Sequence, residues 1–280
     1  MKILILGCTG MIGNSIFHEC FFKKKYEVFG TYKNYEKLKF FKNKKNFIYF
    51  NVDKMKSLKQ IIIKIKPDII INCIGLTKHL KTKNEKKIFK INSIFPHYVK
   101  KISNSMNIKF VQISTDCVFS GKKGNYHENT KPDARDIYGR SKAAGEFNDN
   151  FNLTVRTSTI GHEIDTKYGL LEWFLSIEKN CEGFAKAYFN GFPTYYFSKI
   201  LLKILDKYKA TGLIHISGHR INKYKLLKII KKTYSKKINI NRNDIFKIDR
   251  TLNNSKLKKF IPSIANWDQL ITQMKKNYDQ

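Results

Sequence analysis

The sequence predicts an α/β fold with a parallel sheet, and three observations lead to that prediction. Short runs rich in β-branched residues alternate with amphipathic segments over most of the chain, which is the pattern of βαβ units. The first of these runs passes directly into a glycine-rich turn. The 280 residues are 42% hydrophobic, which is enough for a sizeable core and excludes global disorder.

The predicted elements follow one another in a regular order. Strands are expected at 2–6, 27–32, 47–51, 68–74, 108–114, 153–157 and 213–217. Helices are expected at 11–24, 57–64, 85–104, 137–148, 194–209 and 222–235. The alternation weakens after about residue 158, so the later chain is predicted to form a smaller lobe, while the strand at 213–217 returns to the main sheet.

The charge of the chain favours anionic ligands without indicating a nucleic-acid site. The formal net charge is +32, yet only six of the 54 basic residues are Arg, and the Lys residues are spread over the whole chain. Nucleic-acid-binding proteins usually cluster their basic residues on one face, and the even distribution of Lys here does not indicate such a cluster. We therefore expect no specific nucleic-acid partner, only attraction to anionic small molecules and polyanions.

Cysteine usage and hydropathy predict a cytoplasmic protein. The five Cys residues form no C-x-x-C pair and have no metal-ligand spacing, so neither a disulfide framework nor a metal site is expected. The apolar opening is too short for a signal peptide. No apolar stretch approaches the ~20 residues that cross a bilayer, so no membrane insertion is expected.

The glycine-rich turn predicts a dinucleotide site and a Rossmann-type, doubly wound sheet. Gly7, Gly10 and Gly13 follow a strand and precede a helix, which is the context that this fingerprint requires. Such glycines permit a tight turn and a close approach of the backbone to a pyrophosphate, which the helix N-terminus attracts. Thr9, Met11 and Ile12 lie in the same turn and are included among the expected cofactor contacts.

The second strand favours NADPH as the cofactor, with NADH as the alternative. An acidic residue after this strand would bind the 2′-hydroxyl of the NAD ribose. Residues 30–34 contain no carboxylate, and Lys33 could bind a 2′-phosphate instead. Asp53, after the third strand, is either a hydrogen-bond acceptor for the adenine amine or a capping residue of the following helix.

Four polar side chains predict proton-transfer chemistry beside that cofactor. Ser114 and Thr115 end an inner strand, where α/β sheets place their ligands. Tyr138 and Lys142 lie one helical turn apart and so share a face. The phenol has an ordinary pKa near 10, which a neighbouring ammonium would lower. A hydroxyl of Thr115 or Ser114 could then hold the substrate oxygen against Tyr138.

The Tyr-x-x-x-Lys spacing alone is not specific in this chain. It occurs four times, at Tyr35/Lys39, Tyr138/Lys142, Tyr195/Lys199 and Tyr224/Lys228. Frequent Tyr and Lys residues produce such pairs by chance. Only the pair at 138 and 142 also has the glycine turn and the Ser-Thr pair at the expected distance upstream.

These residues resemble the extended short-chain dehydrogenase/reductase superfamily, and more narrowly its dTDP-4-dehydrorhamnose reductase branch. Four stretches have this resemblance: GCTGMIG at 7–13, STDCVFSG at 114–121, DIYGRSKAAGE at 136–146 and VRTS at 155–158. The resemblance implies that NADPH reduces the C4 ketone of a nucleoside-diphosphate 4-keto-6-deoxy sugar, for surface polysaccharide or deoxysugar biosynthesis. The expected partner is thus a small nucleotide sugar.

The same resemblance implies roles for individual residues. Tyr138 would be the proton donor, and Lys142 would lower the pKa of Tyr138 and hold the nicotinamide ribose. Thr115 would polarise the carbonyl. Asn92 would support the lysine through water, unless it is a residue of the helix surface. The loop under the adenosine ribose would consist of Cys73, Ile74 and Gly75.

The substrate end departs from the rhamnose-forming enzymes. Cys117 stands where those enzymes usually have Tyr, and Thr159 stands where they have an aromatic residue, so the sugar could differ. His162 is either a contact to the sugar or diphosphate or a structural loop residue. Trp173 and its neighbour Phe174 either line the pocket, or one of the two packs in the core. Arg250 is either a phosphate ligand or an ordinary surface residue.

Two alternatives accompany the reductase hypothesis. One is an NAD-retaining epimerase or dehydratase, and the other is a non-catalytic NADP-binding regulatory subunit. The expected domains are an NADP-binding domain at 1–158, joined by about 189–217, and a substrate lobe at 159–280, mainly 159–188 and 218–280. The sequence leaves the oligomeric state open, with a homodimer as one option.

Overall fold

A computed structural model describes residues 1–41, 44–77 and 84–278 of the chain. Its main feature is a seven-stranded sheet with the order β10-β6-β5-β4-β1-β2-β3, in which every neighbouring pair is parallel. The strands of this sheet are β1 (Lys2–Leu6), β2 (Glu27–Tyr32), β3 (Phe47–Tyr49), β4 (Ile69–Asn72), β5 (Lys109–Thr115), β6 (Leu153–Thr157) and β10 (Gly212–Ile216). The predicted Rossmann-like α/β class is confirmed.

The strand order places a cleft at the centre of the sheet. From β1 the chain runs outward through β2 to β3, then crosses back to β4 and continues outward on the other side. In doubly wound sheets ligands bind at this reversal, outside the carboxyl ends of the strands. Here the reversal lies between β1 and β4.

Helices cover both faces of the sheet, as the alternating side chains of β1 require. Ile3 and Ile5 belong to one buried core, whereas Leu4 and Leu6 belong to the other. All four are fully buried, and each such side chain stabilises the fold by about 1.5–3 kcal/mol. The helices are α1 (Met11–Phe22), α2 (Leu58–Ile65), α3 (Glu85–Phe89), α4 (Phe95–Ser105), α5 (Ile137–Ala144), α6 (Leu170–Ser176), α7 (Thr194–Asp206), α8 (Lys223–Thr233), α9 (Ser255–Lys258) and α10 (Trp267–Tyr278).

The later chain adds two small sheets. β8 (Asn180–Phe189) lies between β11 (Ile221–Asn222) and β12 (Asn239–Asp249), antiparallel to the first and parallel to the second. A two-stranded parallel sheet joins β7 (Thr159–Ile160) to β9 (Phe192–Pro193). The strand β10 lies beside β6 in the large sheet, so the chain re-enters that sheet after β8 and α7.

Two predicted helices differ from those observed. The helix expected at 85–104 consists of α3 and α4 joined by a π-helical turn at Lys90–Ile94. The helix expected at 137–148 ends at Ala144, because Gly145 packs against the carbonyl oxygen of Asn92. No helix in the described part of the chain is long and apolar enough to span a bilayer.

Candidate functional site

The glycine turn after β1 is fixed by backbone geometry. Gly7 has a φ of 78°, which favours glycine, and its N–H donates to the Thr31 hydroxyl at 2.9 Å. A Cβ on Gly13 would lie 2.3 Å from the carbonyl oxygen of Gly7, so any side chain there would collide with the turn. The sequence therefore folds locally into a tight strand-turn-helix connection at the central cleft.

The residues at the start of α1 fit the phosphates of a dinucleotide. Gly10 caps the helix without a side-chain hydrogen bond, and the first turn contains no acidic residue. The exposed side of this helix N-terminus therefore presents backbone N–H groups and a partial positive charge. Thr9, Met11 and Ile12 are partly exposed around it. The turn can accept the pyrophosphate of NAD(P).

The adenosine end of this cleft is more basic than the sequence indicated. Lys33 is exposed directly after β2. Asp53 accepts a hydrogen bond from the Lys90 ammonium at 3.2 Å. Lys90 first, and also Lys33, hold the pKa of Asp53 below its usual range. The structure thus brings these three charges together, and sequence reasoning missed Lys90 because it lies 37 residues from Asp53.

The loop after β4 lies directly against the glycine turn. The Cys73 N–H donates to the Leu6 carbonyl at 2.9 Å, and the Ile74 N–H donates to the Asn72 side chain at 3.1 Å. A Cβ on Gly7 would lie 2.8 Å from the Ile74 side chain. This packing places Cys73 and Ile74 against the glycine turn, and the contact of Cys73, Ile74 and Gly75 with the cofactor stays a prediction.

Asn92 connects the β4 loop to α5. It is fully buried in the π-helical turn, where its side-chain oxygen accepts from the Leu76 N–H at 2.9 Å. Its amide donates to the Leu76 carbonyl and to the Ser141 hydroxyl, both at 3.0 Å. The alternative of a helix-surface residue is therefore wrong. Asn92 fixes the position of α5, the helix that contains Tyr138 and Lys142.

Thr115, Tyr138 and Lys142 lie together at the carboxyl end of β5. The Thr115 side chain lies close enough to the Tyr138 phenol to lower its pKa in part. The Thr115 oxygen also accepts from the Cys117 N–H at 3.1 Å. The buried Lys142 ammonium donates to the Ile113 carbonyl at 2.7 Å. A phenol, a hydroxyl and an ammonium thus border one part of the cleft.

The electrostatics of this group differ from the sequence expectation. Burial raises the pKa of the Tyr138 phenol above its ordinary value, and the nearby Cys117 adds to that rise. Burial also lowers the pKa of the Lys142 ammonium to about 8. In the ligand-free protein desolvation outweighs any lowering by Lys142, so the Tyr138 pKa lies above its ordinary value and not below it. The phenol is fully protonated at neutral pH.

Ser114 has a different partner from the one predicted. Its hydroxyl donates to Glu146 at 2.5 Å, in a buried position. In the ligand-free protein this hydroxyl is therefore used by a carboxylate, and a contact of Ser114 with the cofactor stays a prediction. Of the two hydroxyls considered, Thr115 is the one beside Tyr138.

A buried ion pair lies next to this site and was missed from the sequence. Arg156 binds Glu146 through two donors, with Nη2 to Oε2 at 2.7 Å and Nε to Oε1 at 3.0 Å. The two side chains are only 3% and 7% exposed. The Arg156 guanidinium also stacks on Phe119, 5.0 Å from the ring centre. Both residues occur in the stretches that resemble the reductases, which was the available signal.

The predicted substrate residues lie on several different elements. Cys117 is partly exposed two residues after Thr115, and Thr159 is partly exposed on β7. The Arg250 Nε donates to the Phe119 carbonyl at 2.8 Å, which holds this guanidinium against the segment that follows Cys117. Trp173 is 39% exposed on α6, whereas its neighbour Phe174 is fully buried. The core-packing alternative thus applies to Phe174.

His162 has partners within the fold, as its structural alternative expects. Its Nδ1 lies 2.6 Å from Glu172 Oε1, and its Nε2 lies 2.9 Å from the Tyr234 hydroxyl. The Tyr278 ring stacks on the imidazole at 3.6 Å. Both ring nitrogens are used within the fold. Tyr234 and Tyr278 come from the C-terminal helices, 72 and more residues away, and could not be foreseen.

Comparison with known proteins identifies a matching family, similar sequences and similar solved structures. The sequence model of the RmlD substrate binding domain matches residues 1–258. The chain is 29% identical over 161 residues to the spore coat polysaccharide biosynthesis protein SpsK of Bacillus subtilis (strain 168), covering 57% of this chain and 51% of that protein. It is 25% identical over 146 residues to the methionine adenosyltransferase 2 subunit beta of Xenopus tropicalis, covering 52% and 41%. These matches span about half or less of those relatives.

Two solved structures share nearly the whole fold. One is a hypothetical dTDP-4-dehydrorhamnose reductase from Sulfolobus tokodaii, with a TM-score of 0.81, 25% identity, and coverage of 96% of this chain and 98% of that one. The other is a dTDP-4-dehydrorhamnose reductase from Bacillus anthracis str. Ames in complex with NADP. Its TM-score is 0.80 at 20% identity, with 99% of each chain covered.

Proposed function

The chain belongs to the RmlD substrate binding domain family, and on that basis we propose that it is an NADPH-dependent reductase of nucleotide sugars. The proposed reaction reduces the C4 ketone of a nucleoside-diphosphate 4-keto-6-deoxy sugar to an alcohol. NADPH is the expected cofactor, with NADH as the alternative. The product would enter deoxysugar or surface polysaccharide biosynthesis.

One observation supports this proposal most strongly. The Tyr138 phenol lies beside Thr115 and one helical turn from the buried ammonium of Lys142, at the carboxyl end of β5. Reduction of a ketone consumes a proton, so the acid form of the side chain must be present before the reaction. A phenol with an ordinary pKa near 10 is already in this form at neutral pH, and the burial that raises the pKa of Tyr138 does not change that.

The side chains have separable roles in the proposed reaction. NADPH, when bound, supplies the hydride. Thr115 donates a hydrogen bond to the ketone oxygen and positions it against Tyr138. Tyr138 gives its proton to that oxygen as charge develops there. Lys142 in its ammonium form stabilises the phenolate that remains, since an opposite charge nearby favours the ionised form.

The cofactor would be held by residues already described along the cleft. The pyrophosphate would bind at the α1 N-terminus, and the 2′-phosphate would meet Lys33. Asp53 would contact the adenine, and the loop after β4 would lie under the adenosine ribose. Asn92 would act indirectly, because it fixes the position of α5. This set fits NADP chemistry because the basic Lys33 stands where an NAD-specific site would have a carboxylate.

The substrate lobe is proposed to bind the sugar and its diphosphate. Arg250 would pair with a phosphate, since its Nη atoms extend beyond the Nε that binds Phe119. Cys117 and Thr159 would border the sugar, and Trp173 would cover it. The small Cys117 leaves more room than the Tyr of the rhamnose-forming enzymes, which favours a bulkier sugar than the rhamnose precursor.

The division into domains and the oligomeric state are also proposals. Residues 1–158 with 189–217 would form the cofactor-binding domain, and 159–188 with 218–280 would form the substrate lobe. A cytoplasmic enzyme is expected, with a homodimer as one option for its oligomeric state. Size-exclusion chromatography with light scattering of the full chain gives the oligomeric state directly, with about 66 kDa expected for a dimer of the 32.9 kDa chain.

A second candidate function is an NADP-binding subunit without activity of its own. The match to a protein named as a subunit of methionine adenosyltransferase favours it. Retention of Tyr138, Lys142 and Thr115 in one group argues against it, since a purely binding role needs none of their proton chemistry.

A substrate panel tests the proposed function. Purified protein is mixed with NADPH and with dTDP- or UDP-linked 4-keto-6-deoxy sugars, and absorbance at the NADPH band is followed. The reductase should consume NADPH in equal amount to the sugar with at least one substrate. An NAD-retaining epimerase should show no net consumption. A binding subunit should bind NADPH and turn over none of the sugars.

Lys33→Ala tests the cofactor preference. Loss of this ammonium should weaken NADPH binding about tenfold, because a charge-assisted contact to phosphate is worth about 1.5 kcal/mol. NADH binding should stay unchanged, since NADH lacks the 2′-phosphate. Titration of both nucleotides by fluorescence measures this. Lys232→Ala, an exposed lysine in the last turn of α8, is the matched control; an equal loss there would refute a role for Lys33.

A further inference from the structure

Residues 161–169, here called the strap, form a loop between β7 and α6 whose base is fixed. Glu163 Oε2 accepts from the Gly169 N–H at 2.8 Å, which joins the two ends of the strap. His162 Nδ1 lies 2.6 Å from Glu172 Oε1 on α6. The base of the strap is therefore held within the later part of the chain.

The tip of the strap contacts a distant segment. The Lys37 ammonium donates to the Ile164 carbonyl at 3.2 Å, across 127 residues of sequence. Lys37 lies in the 3₁₀ turn Tyr35–Phe40, which begins three residues after the end of β2. Asp165 has a φ of 61°, a conformation that Asp tolerates, so the chain turns immediately after this contact. The side chain of Ile164 packs against the core on the α1 face of the sheet.

The strand order requires the strap to cross the cofactor cleft. The strap follows β6 and β7, whereas Lys37 follows β2, and the order between them in the sheet is β6-β5-β4-β1-β2. Four strand spacings of ~4.8 Å place the ends of β6 and β2 about 19 Å apart. The seven residues from Thr157 to Ile164 reach about 23 Å when extended, which is sufficient. The path therefore passes the carboxyl ends of β5, β4 and β1, including the reversal between β4 and β1.

We propose that the strap closes over a bound dinucleotide and that Lys37 is the positioning residue that holds it closed. The proposal rests on the proposed function for its cofactor and not for its sugar. A hydrogen bond from a partly exposed ammonium can break and form again while the base of the strap stays in place. The dinucleotide enters and leaves while this contact is open, as in other enzymes whose loops enclose a ligand.

Dissociation of two nucleotides tests the role of Lys37. Lys37→Ala should raise the dissociation rate constants of NADPH and NADH by the same factor, about five- to tenfold, because the strap covers both. Bound NADPH is displaced by excess NADP⁺, and bound NADH by excess NAD⁺, in a stopped-flow fluorimeter. Lys37→Arg keeps a donor and should behave as the wild type. Unchanged rates would overturn the proposal. A rise for NADPH alone would also overturn it, since Lys37 would then be a ligand of the 2′-phosphate.

Lys39→Ala is the matched control. Lys39 is exposed in the same 3₁₀ turn, and its ammonium lies 5.3 Å from the centre of the Phe40 ring. Its substitution removes the same charge two residues away and should leave both dissociation rates unchanged. An equal rise in Lys39→Ala would contradict a specific role for Lys37. Thermal unfolding of both variants separates opening of the strap from loss of the fold.

Hydrogen exchange tests the contact in the ligand-free full chain. Peptides that cover 161–169 should exchange severalfold faster in Lys37→Ala than in the wild type or in Lys39→Ala. Equal exchange in all three proteins would refute the proposal. Neither measurement requires turnover of a sugar. Failure of the substrate panel with the expected nucleotide kinetics would therefore count against the proposed reaction alone, whereas unchanged kinetics in an active reductase would count against this inference alone.

Discussion

Tyr138→Phe is expected to lower kcat for ketone reduction by about 10²–10⁴-fold, the usual contribution of a positioned general acid. The ring remains, so the fold and the shape of the cleft are retained, while the only proton that the side chain can donate is lost. NADPH affinity should not change, because the glycine turn and Lys33 are untouched. Steady-state kinetics and a binding titration on the same preparation measure both effects.

Tyr224→Phe is the matched control for that variant. Tyr224 also precedes a lysine by four residues, and the Lys228 ammonium lies 4.8 Å from the centre of its ring. This pair has the same spacing but lies on α8, away from the glycine turn. Its substitution should leave kcat unchanged. Retained turnover in Tyr138→Phe, or an equal loss in Tyr224→Phe, would contradict the assigned role of the phenol.

Gly13→Ala is expected to have the second largest effect, on both stability and cofactor binding. The added methyl group would lie 2.3 Å from the carbonyl oxygen of Gly7, which is backbone and cannot rotate away. Relief requires a shift of the turn, at a cost of about 3 kcal/mol in the free energy of unfolding. The displaced N–H groups should also weaken NADPH binding more than tenfold. Urea unfolding and nucleotide titration measure the two losses.

Gly10→Ala separates backbone crowding from contact with the cofactor. A Cβ on Gly10 would lie 3.5 Å from its nearest neighbour, and the residue has a φ of −88°, which any residue adopts. The free energy of unfolding should change by less than about 0.5 kcal/mol. NADPH affinity should still fall, since the methyl group occupies the face presented to the pyrophosphate. Equal stability losses at positions 10 and 13 would contradict the described turn.

Features that depend on neighbours in sequence were predictable. The strand Lys2–Leu6, the glycine turn and the start of α1 form one continuous segment, whose residue types determine its geometry. The same holds for Tyr138 and Lys142, which share a helix face because of their spacing alone. Recognition of the family and of the fold class followed from these local patterns and is confirmed.

Side-chain partners that come from distant parts of the chain were not predictable. Ser114 pairs with Glu146, 32 residues away, so its hydroxyl could not be assigned from the strand end alone. The two ring nitrogens of His162 have Glu172 and Tyr234 as partners. Tyr234 is 72 residues away in the chain, so this contact is evident only in the folded protein. The sign of the Tyr138 pKa shift depended on burial, which sequence spacing does not report.

The strand β8 was missed for a compositional reason. Its side chains alternate between exposed and buried along Asn180–Phe189. The inward positions include Cys181, Gly183, Ala185 and Ala187, which are small and weakly hydrophobic. A hydrophobic alternation of period two is therefore faint in the sequence. The partner strand β12 is largely exposed, and so it also lacks the apolar run that identifies a strand.

Transfer of deuterium to the sugar is the most direct test of the proposed chemistry. The enzyme is supplied with NADPH carrying deuterium at the reactive C4 position of the nicotinamide and with a nucleoside-diphosphate 4-keto-6-deoxy sugar. The reductase mechanism predicts one deuterium at C4 of the product sugar and one equivalent of NADP⁺, with both lost in Tyr138→Phe. A product without deuterium, or bound cofactor that is never consumed, would contradict it.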